Sequence, residues 1–204
     1  MSNSDSVGKF YRSVKRKLTG IGEIDILINN AGTASERRTP WDVSEKDFDR
    51  VMSVNVKGVF LISKAFIPGM IEDHKKTKRR KLVINMSSGL GHSTNPELSV
   101  YSATKWAVES FSKSVAQGFL SHGLPGCICV PLAPGVIRTE MNPSKRFPTA
   151  EVWSQQAVTF ILSKITHEDN GSSLTVPGFY SGQYVSSWVI PDGMKIPKRH
   201  VPPS

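Results

Sequence analysis

The chain has 204 residues, of which 38% are hydrophobic and 21% are charged. This composition is typical of one globular domain with a sizeable core and excludes a disordered chain, and no run of consecutive apolar residues approaches the ~20 that a membrane helix needs. The 26 Lys and Arg outnumber the 17 Asp and Glu, and the formal net charge of +9 favours an anionic partner, either a phosphorylated cofactor or a nucleic acid.

The first third of the chain predicts a helix, a strand and a long helix. A basic helix spans 7–18 and ends at the Gly20-Ile21-Gly22 turn. Residues 24–28 are almost continuously β-branched or leucine, which indicates a strand buried on both faces that runs into Asn29–Gly32. Ser44–Asp47 fits a capping box that opens a long helix. The apolar positions of this helix recur with helical period, at Phe48, Val51, Met52, Val59, Ile62 and Phe66.

One polar residue, Asn55, falls on the apolar stripe of that helix. A buried amide must find hydrogen-bond partners or cost a few kcal/mol. It is either a satisfied core amide or an amide that holds a water or a backbone group at a functional site. Its position alone does not separate these two interpretations.

The rest of the chain continues the alternation. A strand at 82–86 ends at Ser87-Ser88-Gly89, and a helix containing Tyr101 and Lys105 continues to about residue 119. A strand at 126–132 is closed by Ala133-Pro134-Gly135, a helix follows at 150–165, and a short strand lies at 173–176. The tail from Tyr180 is expected to be irregular.

Strands that alternate with helices of this length predict βαβ units and a parallel sheet covered by helices on both faces. We therefore expect a three-layer α/β fold in one domain over 1–204. The domain core is expected at 22–178 and the irregular tail at 180–204.

Three side chains carry the strongest chemical signal in the chain. Tyr101 and Lys105 stand four residues apart, on one helix face, and Ser88 lies at the end of a strand upstream. An ammonium beside a phenol favours the phenolate and lowers the pKa of the phenol, which suits proton transfer near neutral pH. The sequence predicts that a phenol, an ammonium and a hydroxyl meet at one carbonyl group.

Polar or glycine-rich residues follow three of the predicted strands, at 29–32, 87–88 and 134–139. Ligands of open α/β sheets bind at the carboxyl ends of the strands. We expect these segments to converge with the start of the Tyr101 helix and to form one site.

Together these motifs resemble the classical short-chain dehydrogenase/reductase family, over roughly 22–178. A lone Tyr-x-x-x-Lys is weak, but five motifs in order at similar spacing are a strong signal. The matching positions are Asn29-Asn30-Ala31-Gly32, Asn55, Ser88, Tyr101, Lys105, Pro134-Gly135, Ile137 and Thr139.

The resemblance implies a Rossmann-like fold and an NAD(P)-dependent oxidoreductase that reduces a carbonyl or oxidises an alcohol. It implies that Tyr101 is the proton donor or acceptor and that Lys105 lowers its pKa and binds the nicotinamide ribose. Ser88 would polarise the carbonyl oxygen, and Asn55 would hold a water. The implied cofactor-binding residues are Asn29, Ala31, Gly32, Tyr101, Lys105, Pro134, Gly135, Ile137 and Thr139.

The sequence departs from the family pattern at the cofactor. The strand, Gly-rich turn and helix that bind the pyrophosphate are absent, and Gly20-x-Gly22 precedes a strand instead of following one. The choice between NAD and NADP therefore stays open, and residues 24–28 become an edge strand with little charge to guard it. We expect a truncated product or incomplete gene model of a longer enzyme, a chain that borrows the missing half from a partner, or a fold that binds dinucleotide weakly or not at all. The alternative function is a non-catalytic subunit or pseudoenzyme.

The remaining features support less specific expectations. Six Lys or Arg in the seven residues 75–81 favour a solvated loop over a nucleic-acid patch, and His92 is expected in an exposed loop beside the site. Cys127 and Cys129 indicate buried apolar side chains rather than a zinc site or a disulfide, which suits a reducing compartment, the cytoplasm. The loop 140–149, with Met141, Arg146 and Phe147, corresponds to the substrate lid of the family. We expect a small-molecule substrate and a homo-oligomer, with no membrane, nucleic-acid or metal partner.

Overall fold

The computed structural model describes residues 3–177. The predicted tail from residue 180 lies outside this range. The described elements, in chain order, are α1 (Ser4–Lys17), β1 (Ile26–Asn29), α2 (Glu45–Met52), α3 (Gly58–Thr77), β2 (Lys81–Met86), α4 (Ser99–Ser121), β3 (Cys127–Ala133), α5 (Ala150–Ser163) and β4 (Leu174–Thr175).

The strands form one parallel sheet in the order β1-β2-β3-β4. Alternate residues of the sheet pack against opposite layers of helices. Ile84 and Val130 belong to the core beneath α5, whereas Val83 and Cys129 belong to the core beneath α3 and α4. The predicted three-layer α/β architecture is confirmed, and both cysteines are buried and free, as expected.

The basic run at 75–81 is not wholly a solvated loop, because its last member begins β2. Lys81 is only 1% exposed. Its ammonium lies 2.7 Å from Asp25 and 2.6 Å from Asp73, and it donates a hydrogen bond to the Ile24 carbonyl. The Lys81 ammonium is thus buried and paired with two carboxylates, whereas a solvated side chain was predicted. β2 starts one residue earlier than predicted.

The long helix that opens at Ser44 contains an irregular turn that the sequence did not predict. Ser44 caps α2 by accepting a hydrogen bond from the Asp47 amide. The Asp47 carboxylate does not complete a capping box with the Ser44 amide, because it accepts a hydrogen bond from the Glu36 amide at 2.8 Å. Between α2 and α3, Ser53–Lys57 form one π-helical turn that contains Asn55. Wide turns of this kind often occur at functional sites.

By length and composition, the 33-residue helical run at 45–77 is apolar enough to cross a membrane. It meets this test by mean hydropathy, without a run of consecutive apolar residues of that length. Core helices of soluble proteins pass the same test, and Val51, Ile62 and Phe66 are buried in the protein. We interpret this run as a core helix.

β1 is an edge of the described sheet, as predicted. On one face Leu27 packs against Val7 of α1 and Phe66 of α3. On the other face Ile28 is 46% exposed, so an apolar side chain lies open at this edge.

Candidate active site

Four separated segments meet at the carboxyl end of the sheet. They are the loop after β1, the π-helical turn with Asn55, the turn with Ser88 after β2, and the first two turns of α4 with Tyr101 and Lys105. Hydrogen bonds and close approaches connect these segments. The participation of 134–139 in the same site stays a prediction.

Tyr101 and Ser88 form the first pair. The Ser88 hydroxyl lies close enough to the Tyr101 hydroxyl to act on its pKa. Burial raises the pKa of Tyr101 above its usual value, and the nearby Ser88 hydroxyl opposes that rise only in part. Ser88 also accepts a hydrogen bond from the Leu90 amide at 3.2 Å, which fixes its side chain in the turn after β2.

Lys105 lies one helical turn after Tyr101 and is only 5% exposed. Its ammonium donates to the Met86 carbonyl at 2.8 Å and lies 5.5 Å from the centre of the Tyr101 ring. Burial lowers the pKa of Lys105 to about 8, opposed by the charge of Glu109. The expected lowering of the Tyr101 pKa is not found, because the ammonium is directed to a backbone carbonyl and burial of the phenol dominates.

Asn55 is 1% exposed and fully hydrogen-bonded. Its amide oxygen accepts from the Thr33 amide at 2.8 Å, and its nitrogen donates to the Thr33 carbonyl at 2.9 Å and to the Thr104 hydroxyl at 3.0 Å. Asn55 therefore ties the loop after β1 to α4. The geometry fits a satisfied amide that organises the site, and the water-binding role stays a prediction.

Gly32 lies beside Asn55 and Lys105. A methyl group at Gly32 would lie 3.6 Å from the Asn55 amide oxygen and 3.7 Å from the Lys105 ammonium. The missing side chain lets a polar group approach this ammonium and amide, which fits the hydroxyl groups of a cofactor ribose. Ala31 and Gly32 are both exposed.

Asn29 uses its side chain differently from its neighbours in the loop. Its amide donates to Ser63 at 3.1 Å and to Asn85 at 2.7 Å, and Asn85 in turn donates to Ser112 at 2.9 Å. This buried chain of hydrogen bonds crosses from β1 to α4. The Asn29 side chain thus braces the sheet, which leaves its backbone as the part that faces the site.

The predicted cofactor segment 134–139 leaves the carboxyl end of β3. Gly135 has a positive φ of 77°, a conformation that favours glycine. The Pro134 carbonyl accepts from Trp153 at 2.8 Å, and the side chain of Ile137 packs against the α5 core. Thr139 is exposed and its hydroxyl accepts from the Asn142 amide at 3.2 Å. In the loop that follows, Arg146 stacks over the Phe147 ring at 4.9 Å and Met141 is 50% exposed.

The sequence interpretation missed Glu109. Its carboxylate is buried and accepts from Ser87 and Ser173 at 2.5 Å, and His92 Nε2 lies 3.1 Å from it. The available signal was the spacing of Tyr101, Lys105 and Glu109, which repeats every four residues on one helix face. His92 is exposed, as expected, but it also contacts this buried carboxylate.

The chain is similar to proteins of one family. The family model for short chain dehydrogenases matches residues 1–149. The chain is 38% identical over 181 residues to an NADPH-dependent pterin aldehyde reductase of Arabidopsis thaliana, covering 86% of this chain and 69% of that protein. It is 32% identical over 196 residues to a gluconate 5-dehydrogenase of Gluconobacter oxydans, covering 87% of this chain and 71% of that protein.

Solved structures give the same result. NADPH-bound carbonyl reductase from chicken fatty liver superposes with a TM-score of 0.71 at 26% identity, covering 85% of this chain and 71% of that chain. A 3-ketoacyl-(acyl-carrier-protein) reductase from Brucella melitensis, in complex with NADH, gives a TM-score of 0.71 at 26% identity, with 86% and 73% covered. Both likenesses extend over most of the described fold.

Proposed function

Since the chain belongs to the short-chain dehydrogenase family and is an NAD(P)-dependent oxidoreductase of that type, we propose that it reduces a small aldehyde or ketone with NADPH. The relatives that it resembles include an NADPH-dependent aldehyde reductase and an NADPH-bound carbonyl reductase. The observation that carries the proposal is the proximity of the Ser88 hydroxyl to Tyr101, with Lys105 one turn away on α4.

The proposed reduction is consistent with the state of Tyr101. Because burial raises the pKa of this phenol, it keeps its proton at neutral pH. A protonated phenol donates a proton to a carbonyl oxygen that gains negative charge, as reduction requires. Ser88 supplies a second hydroxyl at the same oxygen, in an orientation fixed by the Leu90 amide.

The residues present fit the nicotinamide end of the cofactor. Of the three hydrogens of the Lys105 ammonium, one is used by the Met86 carbonyl, and Gly32 places no side chain beside the ammonium. We propose that Lys105 and Tyr101 hold the ribose and that Ala31, Gly32 and the Asn29 backbone line it. Pro134, Gly135, Ile137 and Thr139 would contact the nicotinamide. The reduced nicotinamide supplies the hydride when it is bound.

The experiment is a titration of the purified chain with NADPH and with NADH, followed by cofactor fluorescence. We expect saturable binding in the micromolar range, with NADPH the tighter ligand, and much weaker binding by Lys105→Met. Lys113→Met is the matched control, because Lys113 lies exposed on the same helix. Absence of binding at millimolar cofactor would refute the proposal and support a non-catalytic homologue.

We propose further that the chain forms a homo-oligomer through α3 and α4. Phe60 and Phe111 make an edge contact at 6.2 Å between these helices, and Phe60 and Trp106 are each nearly half exposed. Exposed aromatic side chains of this kind are enriched at protein interfaces. Light scattering of the wild type and of Phe60→Glu tests it, since a charge there should dissociate the oligomer.

The buried free thiols support a reducing location, the cytoplasm. We further propose that the segment with Met141, Arg146 and Phe147 contacts the substrate.

A further inference from the structure

Glu109 is buried, and burial of a carboxylate is energetically unfavourable. It is 4% exposed and lies on α4, one turn after Lys105 and on the same face. A buried carboxylate without partners would cost several kcal/mol, so its partners show what it stabilises.

Three polar side chains from two separate segments, the turn after β2 and the residues before β4, meet this carboxylate. Ser87 precedes Ser88 at the end of β2 and donates to one oxygen at 2.5 Å. Ser173, before β4, donates to the other oxygen at 2.5 Å, and His92 Nε2 lies 3.1 Å from the first. Burial raises the pKa of Glu109, but the hydrogen bonds from His92, Ser173 and Ser87 outweigh it and the net pKa is lowered. Glu109 is therefore a carboxylate at neutral pH.

Gly91, in the turn after β2, packs against Ser87 and Glu109. A methyl group at Gly91 would lie 2.7 Å from the Ser87 hydroxyl and 3.0 Å from Cγ of Glu109. The turn after β2 thus packs its backbone directly on the carboxylate. The position of Ser88 in that turn is linked to Glu109 through Ser87.

Few charges face this part of the site in the described chain. The ionisable groups that act on Lys105 are Tyr101 and Glu109, both on α4, whereas β2 presents a carbonyl and the loop after β1 presents the uncharged Gly32 and Asn55. Glu109 itself faces Lys105 along α4 and His92 from the loop after β2. It is therefore the anion available to balance the buried ammonium.

We propose that Glu109 is a positioning residue of the active site, whose buried carboxylate keeps Lys105 protonated and holds the Ser87–Ser88 turn against α4. The proposal rests on the function proposed for Tyr101 and Lys105. Glu109 touches neither the substrate nor the cofactor, and it acts through the charge of Lys105 and the placement of Ser88.

The test measures Lys105 directly, without cofactor or turnover. In the full chain labelled with ¹³C-lysine, the Cε shift of Lys105 is assigned by its loss in Lys105→Met and is followed from neutral to alkaline pH. We expect a midpoint near 8 in the wild type. In Glu109→Gln the midpoint should fall by about 1 pH unit, because an opposite charge is removed.

Two matched variants separate charge from structure. Glu109→Asp keeps the charge and should restore most of the midpoint, whereas Glu97→Gln removes an exposed carboxylate of an Arg37 pair and should leave the midpoint unchanged. An unchanged midpoint in folded Glu109→Gln, or an equal change in Glu97→Gln, would overturn the proposal. Because no cofactor is present, this failure is distinct from a failure of the NADPH titration.

The wild-type chain provides a second measurement if Glu109→Gln does not fold. The carboxyl carbon of Glu109, observed by ¹³C-glutamate labelling, should show a step at the alkaline midpoint of Lys105. A Glu109 carboxyl signal that stays flat through that midpoint would also overturn the proposal.

Discussion

Substitution of Gly91 by alanine tests the packing around the buried carboxylate. Neither Gly91 nor its neighbour Gly89 has a positive φ, so the backbone accepts alanine at both positions. The two sites differ in the space available to an added methyl group. A methyl group at Gly91 meets the Ser87 hydroxyl at 2.7 Å, whereas a methyl group at Gly89 meets nothing within 4 Å.

The expected cost follows from what must move. The Ser87 hydroxyl cannot rotate away from the methyl group without losing its 2.5 Å hydrogen bond to Glu109. Overpacking a tight site costs about 1–3 kcal/mol, and loss of a hydrogen bond to a charged group costs about 1.5–3 kcal/mol. These are alternative responses to one clash, so Gly91→Ala should be about 2–3 kcal/mol less stable than Gly89→Ala.

Urea unfolding, followed by tryptophan fluorescence, measures this difference. Both variants gain the same small benefit from a stiffer unfolded chain, about 0.4–1 kcal/mol, so comparing them isolates the clash. The unfolding midpoint should fall in Gly91→Ala with an unchanged m-value. Equal midpoints for the two variants would refute the inference that the turn packs on Glu109.

Two other substitutions test the catalytic groups. Because the pKa of Lys105 falls from 10.5 in the unfolded chain to about 8 in the folded one, the folded state carries the full penalty of the buried charge below pH 8, and that penalty is lost as the pH rises to 10.5. The free energy of unfolding of Lys105→Met should therefore exceed that of the wild type by up to about 3 kcal/mol at neutral pH, and this difference should fade at alkaline pH. A difference that stays constant with pH, or that Lys113→Met also shows, would contradict this. Tyr101→Phe should lower the rate of NADPH-dependent carbonyl reduction by about 100- to 10,000-fold, because the proton donor is lost, while Tyr11→Phe on α1 should react at the wild-type rate; retained activity would assign the acid to another group.

The sequence predicted the elements of the sheet because its strands are apolar on both faces and its helices keep one period. It also placed Tyr101, Lys105 and Ser88 together, since helix spacing and strand ends are local properties. It did not show Lys81 as buried, because its partner Asp25 lies 56 residues away in the chain and the basic residues around Lys81 indicate solvent exposure.

Two further features depend on tertiary contacts that a linear pattern does not contain. The pKa of Tyr101 is raised by burial, whereas the spacing of Tyr101 and Lys105 predicted that the neighbouring ammonium would lower it. Glu109 resembles any helical glutamate until Ser87 and Ser173 converge on it from separate segments. The spacing of α4 indicated the direction of its side chain and not its surroundings.

The π-helical turn at Ser53–Lys57 has a practical consequence for engineering this protein. Cross-links and paired charges for helices are designed at intervals of four residues, on the assumption of 3.6 residues per turn. Within this turn the backbone bonds span five residues, so side chains on either side of it are rotated away from that spacing. A staple designed across 53–57 on ordinary helix geometry would pull the chain into a regular helix and would turn Asn55 away from Thr33.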